Sequence, residues 1–137
     1  MYQKLVIVGN LGTDPEMRYT PSGQAVTNFS VATNRGYTSS DGNKVDETTW
    51  FRVSVWDRQA EACNQYLRQG RRVLVEGRLN SDQTTGGPKI WNRKDGSPAA
   101  SYEITAVTVK FLTSRQEDES YQSTTTPGPE EEDEIPF

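Results

Sequence analysis

Residues 48–58 read TTWFRVSVWDR. In an extended strand successive side chains alternate between two faces. Phe51, Val53 and Val55 then share one face, which reads as core, and Trp50, Arg52, Ser54 and Trp56 share the other, with Arg58 just beyond. Two indoles interleaved with two guanidiniums suit neither water nor an apolar interior: Trp is costly to expose and an unpaired Arg costly to bury. A flat aromatic beside a cation does suit an unpaired nucleotide, offering a π-face to the base and a charge to the phosphate. At about 3.3 Å per residue the two indoles stand roughly 20 Å apart, a span of several nucleotides. The competing reading covers both indoles with a helix, a loop or a second subunit and pairs Arg52 with an acid.

The same residue types recur elsewhere. Tyr37 lies between Arg35 and Lys44, and Trp91 lies in KIWNRK beside Lys89, Arg93 and Lys94. Trp91 near a loop tip among three bases is hard to assign to a core. Arg72 and Arg78 alternate away from the face of Val73, Val75 and Leu79, and Arg18 sits in PEMRYT. These three arginines suit solvent and phosphate equally. Catalytic constellations fail by comparison. Asp14 with Glu16, or Asp46 with Glu47, lack a basic or polar partner that would mark general acid–base work. The stretch GTDPEMRYTPSG lacks phosphate-loop spacing. With no histidine and a single cysteine, His/Cys zinc sites and histidine-based nucleophilic triads are excluded. No enzyme activity and no cofactor are expected.

The elements that must position these residues read as short strands separated by turn signals. Strands are predicted over 2–8, 25–33, 48–56, 71–79 and 101–112, with Ala25, Thr27, Phe29 and Val31 on one face of the second. DRQAEACNQYLRQG, between the third and fourth strands, is the one helix. Asp57 is expected to cap it, Ala62, Cys63, Tyr66 and Leu67 form its apolar stripe, and Gly70 suits the position after its end. Two long connections stand out, residues 35–47 and 80–100, the second long enough in a small domain to be functional or mobile. The fold class is all-β: a five-stranded Greek-key barrel with one helix between strands three and four.

The 137 residues suffice for one domain, placed at 1–113, and an appendage at 114–137 whose sequence lacks periodicity and is expected to be disordered. Residues 1–115 hold all 15 Lys and Arg against 11 acids, a net +4, while 116–137 hold 8 acids and no base. The body is therefore mildly basic although the whole chain is acidic. No apolar run approaches the roughly 20 residues of a membrane span, so no membrane partner is expected. No secretory signal is evident, and one cysteine leaves no internal disulfide, which fits a reducing, cytoplasmic compartment. The last residues, PEEEDEIPF, pair an acidic run with apolar Ile135 and Phe137. Asp133, Glu134, Ile135, Pro136 and Phe137 read as a portable peptide ligand, its acids steering toward basic pockets and its apolar side chains filling a small cleft.

Taken together these stretches resemble the bacterial single-stranded DNA-binding proteins nearly end to end. LVIVGNLGTDPEMRYTPSGQAVTNFSVATN is similar to the family's opening strands and TTWFRVSVWDRQAEACNQYLRQG to its third strand and helix. RRVLVEGRL is similar to its fourth strand and EEEDEIPF to its acidic tip. The resemblance implies an OB-fold that assembles as a homotetramer and binds single-stranded DNA without sequence preference, in the cytoplasm and associated with the nucleoid. It also implies recruitment of replication, recombination and repair proteins through the tip. By local alignment the base-stacking aromatics fall on Tyr37, Trp50, Trp56 and Trp91. Arg52 and Arg58 occupy positions the family tends to keep basic and polar. Two other classes remain open: an RNA-binding or replication-restart OB module, and a structural oligomer whose aromatics are interface contacts.

Overall fold

The computed structural model describes residues 1–112. The expected disorder of 114–137 and the tip Asp133–Phe137 lie outside the described residues. Eight strands and one helix follow in order: β1 Leu5–Leu11, β2 Glu16–Tyr19, β3 Ala25–Thr38, β4 Lys44–Trp56, α1 Asp57–Tyr66, β5 Arg72–Leu79, β6 Ile90–Asn92, β7 Pro98–Ala100 and β8 Tyr102–Phe111. Five of them close a barrel. β1 pairs antiparallel with β5 along Leu5–Asn10, and through Asn10↔Ala32 and Leu11↔Val31 with β3. β3 pairs antiparallel with β4, β4 runs parallel to β8, and β8 returns antiparallel to β5. This closed barrel, with its helix between the third and fourth barrel strands, is the OB architecture expected from the sequence. β2 adds to β3, and β6 with β7 forms a separate hairpin.

Period-two alternation fills the interior. Ala25, Thr27, Phe29 and Val31 are buried from β3, Val53 and Val55 from β4, Val73 and Val75 from β5, and Ile104 and Ala106 from β8. Ile7 and Leu11 complete the layer from β1, and α1 covers it with Ala60 and Cys63, followed by Leu67. Burial pushes the Cys63 thiol up to about 12, so it stays a neutral packing group. Thr27, the one buried polar side chain among the described residues, donates its Oγ1 hydrogen to Ala60 O at 2.7 Å. Gln59 ties the helix to an irregularity in β8. Glu76 faces Thr108 and Gly77 faces Ala106, which leaves Val107 without an opposing residue. The Gln59 amide donates to Val107 O at 2.8 Å and accepts from Val109 N at 3.0 Å. A side chain thus satisfies backbone groups that the bulge leaves unpaired.

Several boundaries differ from expectation for physical reasons. β1 does not stop at Gly9–Asn10. A side chain at Gly9 would place its Cβ 2.2 Å from Ala32 O, so this glycine permits close approach of β3 and makes no turn. The connection 35–47 is a paired ribbon, with the β3–β4 register running out to Thr38↔Lys44 and the reversal confined to Ser39–Asn43. Gly42 takes φ +90° there, and Asp41 is held ionised below its ordinary range, chiefly by the Ser39 hydroxyl and then by Asn43 N–H. The connection 80–100 contains the β6–β7 hairpin, turning at Arg93–Gly96. β2 has no counterpart among the predicted strands, since EMRY is only four residues long and its alternation of Met17 and Tyr19 with Glu16 and Arg18 is too short to stand out. Asp57 does not cap α1: the N-cap is Trp56, without a side-chain bond, and Asp57 itself has φ +61°. The helix ends at Tyr66, and Gly70 instead donates its N–H to Leu11 O at 2.8 Å.

Candidate nucleic-acid interface

The outer face of β4 carries the residues that alternation assigned to it. Trp50 is 53% exposed and Trp56 38% exposed, so neither indole is covered by the helix or a loop among the described residues. Phe51 is half-buried, and Val53 and Val55 are buried on the opposite face. Strand register then shows what surrounds each one. Around the barrel, Arg72, Asn10, Ala32 and Trp50 occupy successive strands in one row. Ser30, Arg52 and Glu103 form the next row, and Asn28, Ser54, Thr105 and Arg78 the one after it. Arg18, Val26 and Trp56 form a further row. Paired residues project to the same face, so Arg18, Arg52, Arg72 and Arg78 all share the outer surface with the two indoles. Exposed Arg58 follows as the second residue of α1.

The cations differ in how they are engaged. Arg18 pairs with Glu16 at 3.2 Å and Arg35 with Glu47 at 3.6 Å, all four side chains being largely exposed. Such pairs contribute about 0–1 kcal/mol and yield readily to a phosphate. Arg72 Nε donates to Asn10 Oδ1 at 3.3 Å. Arg93 braces its own turn through Ser97 Oγ and Pro98 O at 3.3 and 3.1 Å. Arg52, Arg58, Arg78, Lys89 and Lys94 make no ion pair with any described residue. An outer face with indoles and unengaged guanidiniums offers stacking surfaces and phosphate partners together.

Other expected residues stand apart from that face. Tyr37 and Arg35 have the parity of the core-facing residues of β3, and the ribbon has left the barrel by then, so both lie on the face opposite to Trp50. The Arg35 guanidinium sits 4.8 Å from the Tyr37 ring centre, a cation–π contact. Trp91, 41% exposed, faces Ala99 across the β6–β7 hairpin, which also carries Lys89, Arg93 and Lys94. In that turn the Ser97 hydroxyl, foremost, keeps the Asp95 carboxyl below its usual range.

One positioning residue escaped sequence reasoning. A Cβ on Gly12 would fall 2.3 Å from Trp50 Cζ3 and 2.7 Å from Cη2, so the indole lies directly over this glycine. Only the pairing of distant strands reveals that; in the sequence, Gly12 looks like a turn signal. Gly12→Ala forces the indole outward, which its exposure permits without unfolding. The expected outcome is a near-unchanged melting temperature with oligo(dT) affinity lowered about three- to tenfold, part of the ~1–3 kcal/mol of one stacked base. Fluorescence titration beside thermal unfolding checks both halves.

The sequence profile of the single-strand binding protein family matches residues 2–112. The chain is 38% identical over 115 residues to a single-stranded DNA-binding protein of Helicobacter hepaticus, covering 84% of this chain and 64% of that protein. It is 40% identical over 114 residues to one of Neisseria meningitidis, covering 83% of this chain and 62% of that protein. Against single-stranded DNA-binding protein 1 of Chlorobaculum tepidum it is 46% identical over 90 residues, 63% of this chain and 56% of that one. The matches thus span less than two thirds of these relatives' own lengths. A solved structure of a Plasmodium falciparum SSB in complex with ssDNA superposes with a TM-score of 0.66 at 26% identity, covering 81% of this chain and 95% of that one. Among the described residues no helix is long and apolar enough to cross a membrane. The barrel, its helix and the family profile spanning them agree: the chain belongs to the single-strand binding protein family.

Proposed function

We propose that this chain binds single-stranded DNA without sequence preference, stacking bases on aromatic side chains and holding the phosphate backbone with arginine and lysine. The observation that carries the reading is the outer face of β4, where Trp50 and Trp56 stand exposed around Arg52, which has no acid partner among the described residues. Tyr37 and Trp91 extend the stacking surface onto the ribbon and the β6–β7 hairpin. Phosphates fall to Arg18, Arg35, Arg52, Arg58, Arg72, Arg78, Lys89, Arg93 and Lys94. Since Tyr37 and Arg35 occupy the far face of the ribbon, a strand engaging both faces passes around it. Every base presents a π-face, so this chemistry needs no reading of base edges. Competition at fixed salt between poly(dT), poly(U) and duplex DNA tests it. Preference for poly(dT) supports the reading; equal or tighter binding of poly(U) replaces it with an RNA-binding module.

Self-association as a homotetramer is part of the proposal. Val6 and Val8 are exposed on the outer face of β1, and between Leu5 and Gly9 that strand has a sheet neighbour only on its β5 side. An apolar strand with one open edge favours pairing with another copy. Solution mass by light scattering decides it, a monomeric mass refuting it. Asp133, Glu134, Ile135, Pro136 and Phe137 are proposed as the ligand for replication, recombination and repair proteins. Deleting residues 130–137 is expected to leave poly(dT) affinity intact or slightly tighter, because a polyanion competes with phosphate for the basic surface. A large loss of DNA affinity on truncation would place that segment within the DNA site.

A further inference from the structure

We infer that a cleft at the rim of the barrel, between β4 and the β7–β8 junction, holds one nucleotide of the bound strand, with Tyr102 as a further base-contacting residue. This rests on the single-strand binding proposed above. The parallel β4–β8 ladder begins at Phe51↔Tyr102, so Thr48, Thr49 and Trp50 have no β8 neighbour on that side. The resulting cleft, of about 330 Å³, is lined by Thr48, Thr49, Trp50 and Arg52 from β4 and by Ala100, Ser101 and Tyr102 from the β7–β8 junction. That volume sits at the low end of the ~300–1,000 Å³ typical of small-ligand clefts, the scale of one nucleotide and not of several.

The lining chemistry matches the three parts of a nucleotide. Trp50 and Tyr102 offer aromatic surface to a base, Arg52 offers a cation to a phosphate, and Thr48, Thr49 and Ser101 offer hydroxyls to the sugar oxygens. Arg52 is free for that role: its register neighbour on β8 is Glu103, yet the two do not come within ion-pair distance. Tyr102 is 60% exposed, and no described residue hydrogen-bonds its phenol. Its ring leans on Phe51, with centroids 5.8 Å apart and planes inclined by 38°. A ring already braced on one side loses less freedom when a base arrives than a free one does.

Photocrosslinking of the full chain to oligo(dT) carrying iododeoxyuridine, with the crosslinked peptides mapped by mass spectrometry, tests this on the unaltered protein. Adducts at Tyr102 as well as at Trp50 are expected. Tyr102→Ala is expected to weaken oligo(dT) binding about five- to tenfold, and Tyr102→Phe, which keeps the ring, to stay within about twofold of the parent. Adducts at Trp50 with none at Tyr102, or Tyr102→Ala binding like the parent, overturn the subsite and leave the wider reading standing. No adduct and no binding with any single strand overturns both.

Discussion

Replacing Trp50 by alanine is expected to weaken oligo(dT) binding by about 1–3 kcal/mol, roughly five- to 150-fold, the range that alanine substitution of stacking aromatics gives in single-strand binders. Folding is expected to change little. The indole is 53% exposed and packs over Gly12 on the outside of the barrel, while the same strand's Val53 and Val55 hold the core. Affinity and stability therefore separate at this residue, which a residue serving packing alone would not allow. Of the three indoles, two remain, so fluorescence quenching on DNA binding is reduced and not abolished. Titration at one fixed salt concentration is required, since phosphate contacts make affinity fall steeply as salt rises. Unchanged affinity for Trp50→Ala would remove Trp50 from the stacking surface. Unchanged affinity with a lowered solution mass would assign the indole to contact between copies.

A change at Gly77 is expected to act in the opposite sense, on the fold and not on the site. Gly77 lies in β5 beside the bulge, where β5 meets β8 and closes the barrel. An added Cβ would lie 2.1 Å from Thr105 O, 2.9 Å from Thr105 C and 3.0 Å from Ala106 Cα. All three are backbone atoms, so no rotamer change relieves the clash and the strands themselves must part. Overpacking a core typically costs about 1–3 kcal/mol, and a clash with backbone belongs at or beyond the upper end. In a domain of this size that lowers the melting temperature by about 12 °C or more. Circular dichroism melts of Gly77→Ala check it, and a shift of about 2 °C or less would show that β5 and β8 have room to spare. The contrast with Gly12→Ala is instructive, because there the added atom meets the far end of an exposed ring.

The barrel interior and the outer face of β4 were legible because both follow from period-two alternation. Ala25, Thr27, Phe29 and Val31 were read onto one face, and all four are buried. Phe51, Val53 and Val55 were separated from Trp50, Arg52 and Trp56 on the same ground, and the structure keeps them apart. Alternation failed where a strand has water on both sides. The ribbon from Arg35 to Glu47 is held mainly by backbone pairing, with one exposed Arg35–Glu47 ion pair across it, and its polar sequence shows no apolar face to betray it. Parity misleads at strand ends too. Tyr102 shares parity with Ile104 and Ala106 and so belongs by pattern to the core, yet it sits where the barrel runs out and is 60% exposed. Glycines were hidden for a different reason. Gly9 and Gly12 look like turn signals and Gly77 like a weak strand position, while their purpose is close approach to Ala32, Trp50 and Thr105, each at least 23 residues away. Only strand pairing brings those partners together.

The most direct test is a fluorescence titration of the unaltered chain with oligo(dT) at low and at moderate salt, with solution mass measured on the same samples. Expected is saturable tryptophan quenching at a fixed number of nucleotides per chain, with affinity falling as salt rises. Absence of quenching with any single strand at low salt would contradict it, and would leave Trp50, Trp56 and Trp91 as contacts between copies of the chain.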